Sequence, residues 1–175
     1  IAGKLMLVRA LTLGWKLDVI EPNANPLKEI KKVYDFSAMV PLQLEHSLVK
    51  INQIKKVIVG GGVVSSQLQE KLQGIQSVVY ATYGMTETVT HIAVKKLNNF
   101  QNTSAQVNKA LFKTLPDISI SLDDRNCLII KAPNLSNKTI VTNDLVKLHT
   151  NSDFEWLGRY DNIINTGGVK VFPEQ

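Results

Sequence analysis

Cysteine is nearly absent from this 175-residue chain: Cys127 stands alone, so no disulfide framework can hold the fold. Aromatic residues make up only 6% of it, and none interleaves with the lysine pairs Lys31-Lys32, Lys55-Lys56 and Lys95-Lys96 as a single-strand-binding groove would require. Charge of one sign is in small excess, 20 basic against 15 acidic residues, a net +5 that gives little reason to expect a nucleic-acid partner. Long apolar runs are missing too. Residues 5–8 and 57–59 are among the longest, far below the roughly 18 that a membrane span needs. Internal repeats and low-complexity segments are absent. What is present is the balance of a globular protein, 44% hydrophobic and 20% charged, which excludes disorder as the main state. The chain opens on Ile1 rather than methionine, inside an apolar helical pattern, and closes two residues past Pro173, so it reads as a piece of a longer protein. One thiol and no leader segment point to a reducing, cytoplasmic setting.

The pattern over residues 3–14 predicts a buried helix with Leu7 and Leu11 on one face and Gly14 as its stop. Residues 15–20 alternate as a strand does. Asn25 and Pro26 read as a helix start leading into residues 27–33, and a further helix follows Pro41. Residues 56–59 read as a short buried strand ending in Gly60, Gly61 and Gly62. Ser66 is then expected to cap a helix, with Gln69 as its capping-box partner and Gly74 at its end, before a strand over 77–81. Strand, helix and strand with glycines at the strand ends describe an α/β fold, a crossover-connected sheet with flanking helices. Ligands collect at the carboxyl ends of such strands, which singles out the loops 60–64 and 82–88. Beyond about residue 112 the texture changes to short β-type runs at 118–122, 128–131, 139–141, 145–148, 154–157 and 162–164, separated by turn residues. The expected division is therefore an α/β sheet subdomain over 1–112, a small antiparallel β subdomain over 113–158, and a closing segment over 159–175.

Chemistry concentrates in three places. Tyr83-Gly84-Met85-Thr86-Glu87-Thr88 follows a strand, so Gly84 lets the backbone turn toward a ligand. The Thr86 hydroxyl can donate to a phosphate oxygen, the Glu87 carboxylate is a hard ligand suited to Mg²⁺, and Tyr83 offers a flat face to a base. The second place is Gly158-Arg159-Tyr160-Asp161 with Gly167, Gly168, Lys170, Val171 and Pro173 after it; the third is Thr142-Asn143-Asp144. A carboxylate such as Asp144 accepts two hydrogen bonds from a vicinal diol, and Arg159 adds a fork of donors.

In this order the segments resemble the adenylate-forming superfamily of acyl-CoA synthetases, adenylation domains and luciferase-like enzymes. The run at 83–87 is similar to its aromatic-Gly-x-Thr-Glu motif, 142–144 to its Thr-Gly-Asp, 158–173 to its Gly-Arg-x-Asp hinge segment, and the glycines at 60–62 to its Gly-Gly-Ala strand end. The resemblance covers essentially the whole chain, and it implies part of the family's large N-terminal domain. It also implies a two-step reaction in which a small-molecule carboxylate attacks the α-phosphate of ATP and the acyl-adenylate then passes to a thiol, usually CoA. By position, Tyr83 stacks on adenine, Thr86 holds the α-phosphate, Glu87 ligates Mg²⁺, Asp144 and Arg159 hold the ribose, and Asp161 is the pivot for a C-terminal domain. Gly60, Gly61, Gly62 and Gly84 let the nucleotide approach the backbone. Val63 and His91 face the acyl substrate. The opening nine residues, the stretch at 14–22 and the segment from Trp156 to Gln175 resemble, within the superfamily, the 2-succinylbenzoate–CoA ligases of menaquinone biosynthesis.

Three positions depart from the pattern. Asn143 replaces a glycine, and asparagine tolerates positive φ well enough to keep the turn. Asn165 stands where lysine is common, and Gln175 where glutamate is usual. No Ser/Thr/Gly-rich loop ending in lysine occurs in the chain, and the family's catalytic lysine belongs to a C-terminal domain, so the 175 residues alone are expected to have little or no ligase activity. Plainer readings stand beside these: a tight turn for 60–62, a solvated helix start for Thr86 and Glu87, a turn cap for Asp144, an ordinary strand histidine at 91, and a buried, inert Cys127. A ligase for a fatty or aryl acid and a non-catalytic binding module for nucleic acid or a protein are the rival functions. The sequence is compatible with a monomer and with a homodimer alike.

Overall fold

A computed structural model describes residues 2–99, 110–162, 164–166 and 169–171. The chain divides into two compact units, one of Ile1–Tyr80 with Leu97–Gln101 and one of Ala81–Lys96 with Asn102–Gln175, and the division falls inside a strand.

The first unit is built on a crossover. Strand β1 (Tyr34–Met39) lies parallel to β2 (Ile54–Val59), in register from Tyr34 opposite Ile54 to Met39 opposite Val59. Between them runs α2 (Pro41–Ser47), continued as a 3₁₀ turn over Leu48–Gln53. Parallel neighbours need such a crossover, because a hairpin cannot reverse the chain twice. Pro41 occupies the first helical turn, where its missing N–H costs nothing. Helix α3 (Ser66–Lys71) then leads to β3 (Val78–Gly84), the neighbour of β2. Two asparagine-centred clusters, one around the buried Asn98 and one around the exposed Asn52, pin the start of β3. Asn98 Oδ1 accepts from the Val79 amide at 2.9 Å while its Nδ2 donates to the Ser77 carbonyl at 2.8 Å, and Asn52 Oδ1 accepts from the Gln76 amide at 3.0 Å.

The second unit is antiparallel. Its strands β4 (His91–Lys96), β5 (Phe112–Thr114), β6 (Ser119–Leu122), β7 (Cys127–Lys131), β8 (Ile140–Leu148) and β9 (Asp153–Arg159) follow β3 in the order β3-β4-β5-β9-β8-β7-β6. Its core is Tyr83, Ile92, Ala93, Leu128, Ile130, Ala132, Val146 and Phe154. A 3₁₀ turn (Tyr160–Asn162) leads to a small pair, β10 (Ile164–Thr166) antiparallel to β11 (Val169–Val171). The fold is thus the expected mixed α/β arrangement, a crossover-connected part followed by antiparallel strands. Among the described residues no helix is long and apolar enough to cross a membrane.

Local expectations shift in several places. Helix α1 (Ala2–Leu13) forms, but it is not buried: Leu11 is 76% exposed, and Leu7 and Val8 are also open. Residues 15–20 are irregular rather than a strand. Residues 26–29 make only turns, the Lys28 amide bonding to the Asn25 carbonyl at 3.2 Å, where a helix was expected. The cap of α3 is Ser65, whose Oγ accepts from the Leu68 amide at 3.2 Å; Gln69 donates to the Val64 carbonyl instead of closing a box with Ser66. Strand β3 runs on to Gly84, so Thr82, Tyr83 and Gly84 are strand residues and the loop begins at Met85. The runs at 139–141 and 145–148 are one strand, β8. Gly167, Gly168, Pro173 and Gln175 lie outside the described residues.

Candidate functional site

Alternation along β3 decides where Tyr83 goes. Val79, Ala81 and Tyr83 fall on one buried face, as the two-residue period of a strand requires. Tyr83 is 9% exposed, packed edge-on against Phe154 (5.3 Å between centroids) and tilted against Phe112 (5.8 Å). Its hydroxyl donates to Asp144 Oδ2 at 2.6 Å. Burial foremost, and then the charge and hydrogen bond of Asp144, push the phenol far above its ordinary pKa. Little of the ring is open to a base in this arrangement, so the contact that Tyr83 demonstrably makes is a hydrogen bond to the carboxylate.

Asp144 is 6% exposed and receives a second donor, Trp156 Nε1, on Oδ1 at 3.3 Å. Arg159 Nε approaches the same oxygen at 3.7 Å, an ion pair rather than a hydrogen bond. A break in register brings these groups together. On β9, Arg159 pairs with Asp144 and Trp156 with Val146, so the two side chains sit on the face of Asp144 although they are three positions apart. In a regular strand a spacing of three puts side chains on opposite faces. The extra residue is accommodated as a bulge at Leu157 and Gly158, where Gly158 takes φ +143°. Trp156 was not singled out as a site residue from the sequence; the signal was the glycine between it and Arg159.

Gly84 has a different reason for being glycine than the one expected. A Cβ there would lie 2.5 Å from the Thr90 carbonyl oxygen and from the His91 Cα, so the neighbouring backbone excludes it. Thr86 and Glu87 stand exposed on the 3₁₀ turn (Thr86–Thr88) after Met85. Thr88, fully buried, shapes that turn: its Oγ1 accepts from the Met85 amide at 3.0 Å and donates toward the Thr90 carbonyl at 2.7 Å. Val89 is forced to φ +62°, and the Thr90 amide closes on the Thr88 carbonyl at 2.6 Å, a strained γ-turn for a β-branched residue. His91, partly buried, opens β4 with its Nδ1 3.3 Å from the Thr90 hydroxyl. Glu87 is four residues from Tyr83, so at most about 14 Å of chain separates it from the residue that touches Asp144.

In the first unit, the Gly60 amide bonds to the Met39 carbonyl at 3.1 Å, Gly61 turns with φ +78°, and Val63 is exposed just beyond.

No family model matches the chain. Among solved structures, an acyl-CoA synthetase (AMP-forming)/AMP-acid ligase II-like protein from Dyadobacter fermentans is similar over 98% of this chain and 49% of its own, with 41% identity and a TM-score of 0.80. In sequence and fold the chain is similar to AMP-forming acyl-CoA synthetases. A 2-succinylbenzoate–CoA ligase from Lactococcus lactis is 23% identical over all of this chain and 42% of its own length. The O-succinylbenzoate coenzyme A synthetase of Bacillus subtilis, solved with ATP and a magnesium ion, shares the fold at TM-score 0.64 and 22% identity over 79% of this chain and 34% of that one. The chain spans less than half the length of these relatives.

Set against the superfamily's Thr-Gly-Asp, Asn143 lies in the extended strand β8 and is not at positive φ. The backbone there needs no glycine, which corrects the expectation of a left-handed turn. Glu87 is an exposed carboxylate on the turn after β3, a hard oxygen donor of the kind a magnesium ion takes. Mg²⁺ takes one or two carboxylates and fills its remaining positions with phosphate oxygens and water.

Proposed function

We propose that the chain is the adenosine-holding part of an ATP-dependent carboxylate–CoA ligase. The observation that carries this is the 2.6 Å bond from the Tyr83 hydroxyl to Asp144, which joins the segment at 83–87 to the one at 142–144, with Arg159 beside them. A carboxylate has about four acceptor positions. Tyr83 takes one on Oδ2 and Trp156 one on Oδ1, so each oxygen keeps a place for one hydroxyl of a ribose diol. The guanidinium of Arg159, in loose ion pairs at 3.7 and 3.8 Å, keeps its donors for the ribose. Thr86 holds the α-phosphate and Glu87 the magnesium ion, which when bound neutralises phosphate charge. Transfer at phosphorus then rests on positioning and electrostatics, with no covalent work by these side chains. Gly60, Gly61 and Gly62 line the nucleotide, Tyr83 borders the adenine, Val63 and His91 meet the acyl group, Asp161 is the pivot, and CoA accepts the acyl group.

The acid is 2-succinylbenzoate in the narrower reading, supported by the relative from Lactococcus lactis. The more similar relative carries a general acyl-CoA synthetase name, which favours a wider class of fatty and aryl acids as the alternative. Pyrophosphate release by the full-length enzyme over a panel of carboxylic acids separates the two. The nucleotide site is tested by titration of that enzyme. Asp144→Ala weakens ATP and AMP about tenfold or more, in keeping with lost charge-assisted bonds. Glu87→Ala weakens only magnesium-dependent ATP binding. Parent-like binding by both variants refutes the assignment.

A further inference from the structure

We propose that Arg125 and Asn143 form a clasp that positions Asp161, so that Asn143, a departure from the superfamily's glycine, is a positioning residue for the hinge. The extended backbone at 143 has room for a side chain, and the structure uses it. Asn143 Oδ1 accepts from Arg125 Nη1 at 3.0 Å, and Asn143 Nδ2 donates to Asp161 Oδ2 at 3.0 Å. The amide can be oriented only one way, because a guanidinium has only donors and a carboxylate only acceptors.

Arg125 is itself fixed. Its Nε and Nη2 meet Asp123 Oδ2 at 2.9 and 2.8 Å, and Nη2 also donates to the Thr142 carbonyl at 3.2 Å. Asp123 is anchored in turn, its Oδ1 accepting from the amides of Arg125 and Cys127 at 2.8 Å each. The same guanidinium lies 5.2 Å over the ring of Tyr160, the residue before Asp161. The 3₁₀ turn Tyr160–Asn162 is therefore gripped twice from one rigid base. Arg159 Nη2 lies 3.8 Å from the same carboxylate oxygen, beyond hydrogen-bond distance.

Asp161 is 58% exposed, so one contact there adds little to global stability. What it sets is the orientation of the turn. The Asn143 bond holds the Asp161 side chain, and through it the turn, against reorientation, and a glycine at 143 removes that restraint. This rests on the reading of residues 159–175 as a hinge.

The test uses the full-length enzyme with Asn143→Gly, Arg125→Ala and the double variant. Acyl-adenylate formation and transfer of the preformed adenylate to CoA are timed separately, and hydrogen exchange is read at the amides of residues 160–162. The expected result is exchange about three- to tenfold faster in Asn143→Gly, the factor for one modest hydrogen bond, with an unchanged unfolding midpoint. The ratio of the two half-reaction rates shifts by a similar factor. Arg125→Ala, which also loses the contact with Tyr160, gives shifts in the same direction and at least as large, and the double variant adds nothing to them, because Asn143 acts through Arg125. Unchanged exchange overturns the clasp. Accelerated exchange with an unshifted ratio overturns its part in the reaction. A parent that forms no acyl-adenylate defeats the ligase reading instead, and the exchange measurement still decides the clasp.

Discussion

Asp144 keeps a carboxylate nearly out of water, and such a group is costly unless donors replace the lost hydration. Tyr83 and Trp156 are those donors, and neither role was legible in the sequence, where Tyr83 reads as a stacking surface and Asp144 as a diol acceptor. The two residues are 61 positions apart, so nothing local announces their bond. It has a measurable signature. Burial foremost, then the Asp144 charge and bond, raise the Tyr83 phenol above its ordinary value of 10.0, so the folded chain keeps a proton that the unfolded chain gives up. The stabilisation is complete below about pH 10 and is lost as pH rises beyond it, with a limiting slope of about 1.4 kcal/mol per pH unit. Tyr83→Phe is therefore expected to cost about 1–2 kcal/mol at pH 7, and to flatten the fall in stability above pH 10 relative to the parent. Urea denaturation from pH 7 to 11 reads both, and parallel curves would show that Tyr83 is not the titrating group. Thr88 belongs to the same scale. Buried and bonded to the Met85 amide and the Thr90 carbonyl, it is expected to cost about 2 kcal/mol as Thr88→Val, read by the same denaturation, while Thr86→Val on the exposed side of the turn changes stability little.

At the scale of elements, segments bounded by strong turn or cap signals agree with their reading and those without them do not. The turn at 60–62, the crossover helix after Pro41 and the antiparallel strands after 112 all carry local signals strong enough to survive tertiary context. Residues 15–33 do not: Asn25 and Pro26 open a turn as readily as a helix, and the alternation at 15–20 finds no neighbouring strand. The most consequential device, the bulge on β9, has only Gly158 as its mark. Gly158→Ala puts a side chain at φ +143°, which costs about 1–3 kcal/mol in strain or removes the bulge. If the bulge goes, a one-residue slip turns Arg159 or Trp156 away from Asp144, so adenosine binding should fall with stability. Arg159→Lys, which keeps the fold and loses the planar fork, should weaken binding while stability holds, and titration beside denaturation separates the two. Gly84→Ala should be worse for the fold, because a Cβ 2.5 Å from the backbone of Thr90 and His91 forces β3 and β4 to move.

On the scale of the whole chain, the likeness to AMP-forming acyl-CoA synthetases was legible because four short motifs keep their order, and order survives where overall identity is low. What the motifs could not convey is which of their residues meet. The second unit alone gathers Tyr83, Asp144, Trp156, Arg159, Asn143 and Asp161, and the grip on Asp161 comes through Arg125, a residue outside every motif. Acyl-adenylate formation asks for more than this set. A triphosphate must be held along its length, and pyrophosphate must leave with its charge neutralised, which calls for backbone amides and a lysine at the β- and γ-phosphates. The chain has no Ser/Thr/Gly-rich loop ending in lysine, and the triple glycine at 60–62 is followed by Val63 and Val64. The 175 residues by themselves are accordingly expected to release no pyrophosphate above background from ATP, Mg²⁺ and 2-succinylbenzoate, while still binding AMP in a manner that Asp144→Ala weakens. A coupled pyrophosphate assay beside a calorimetric titration checks both halves. Turnover by the isolated chain would mean that phosphate charge is met by groups other than those the superfamily's missing loop supplies, and Glu87→Ala and Thr86→Val in the same assay would show whether the turn after β3 provides them.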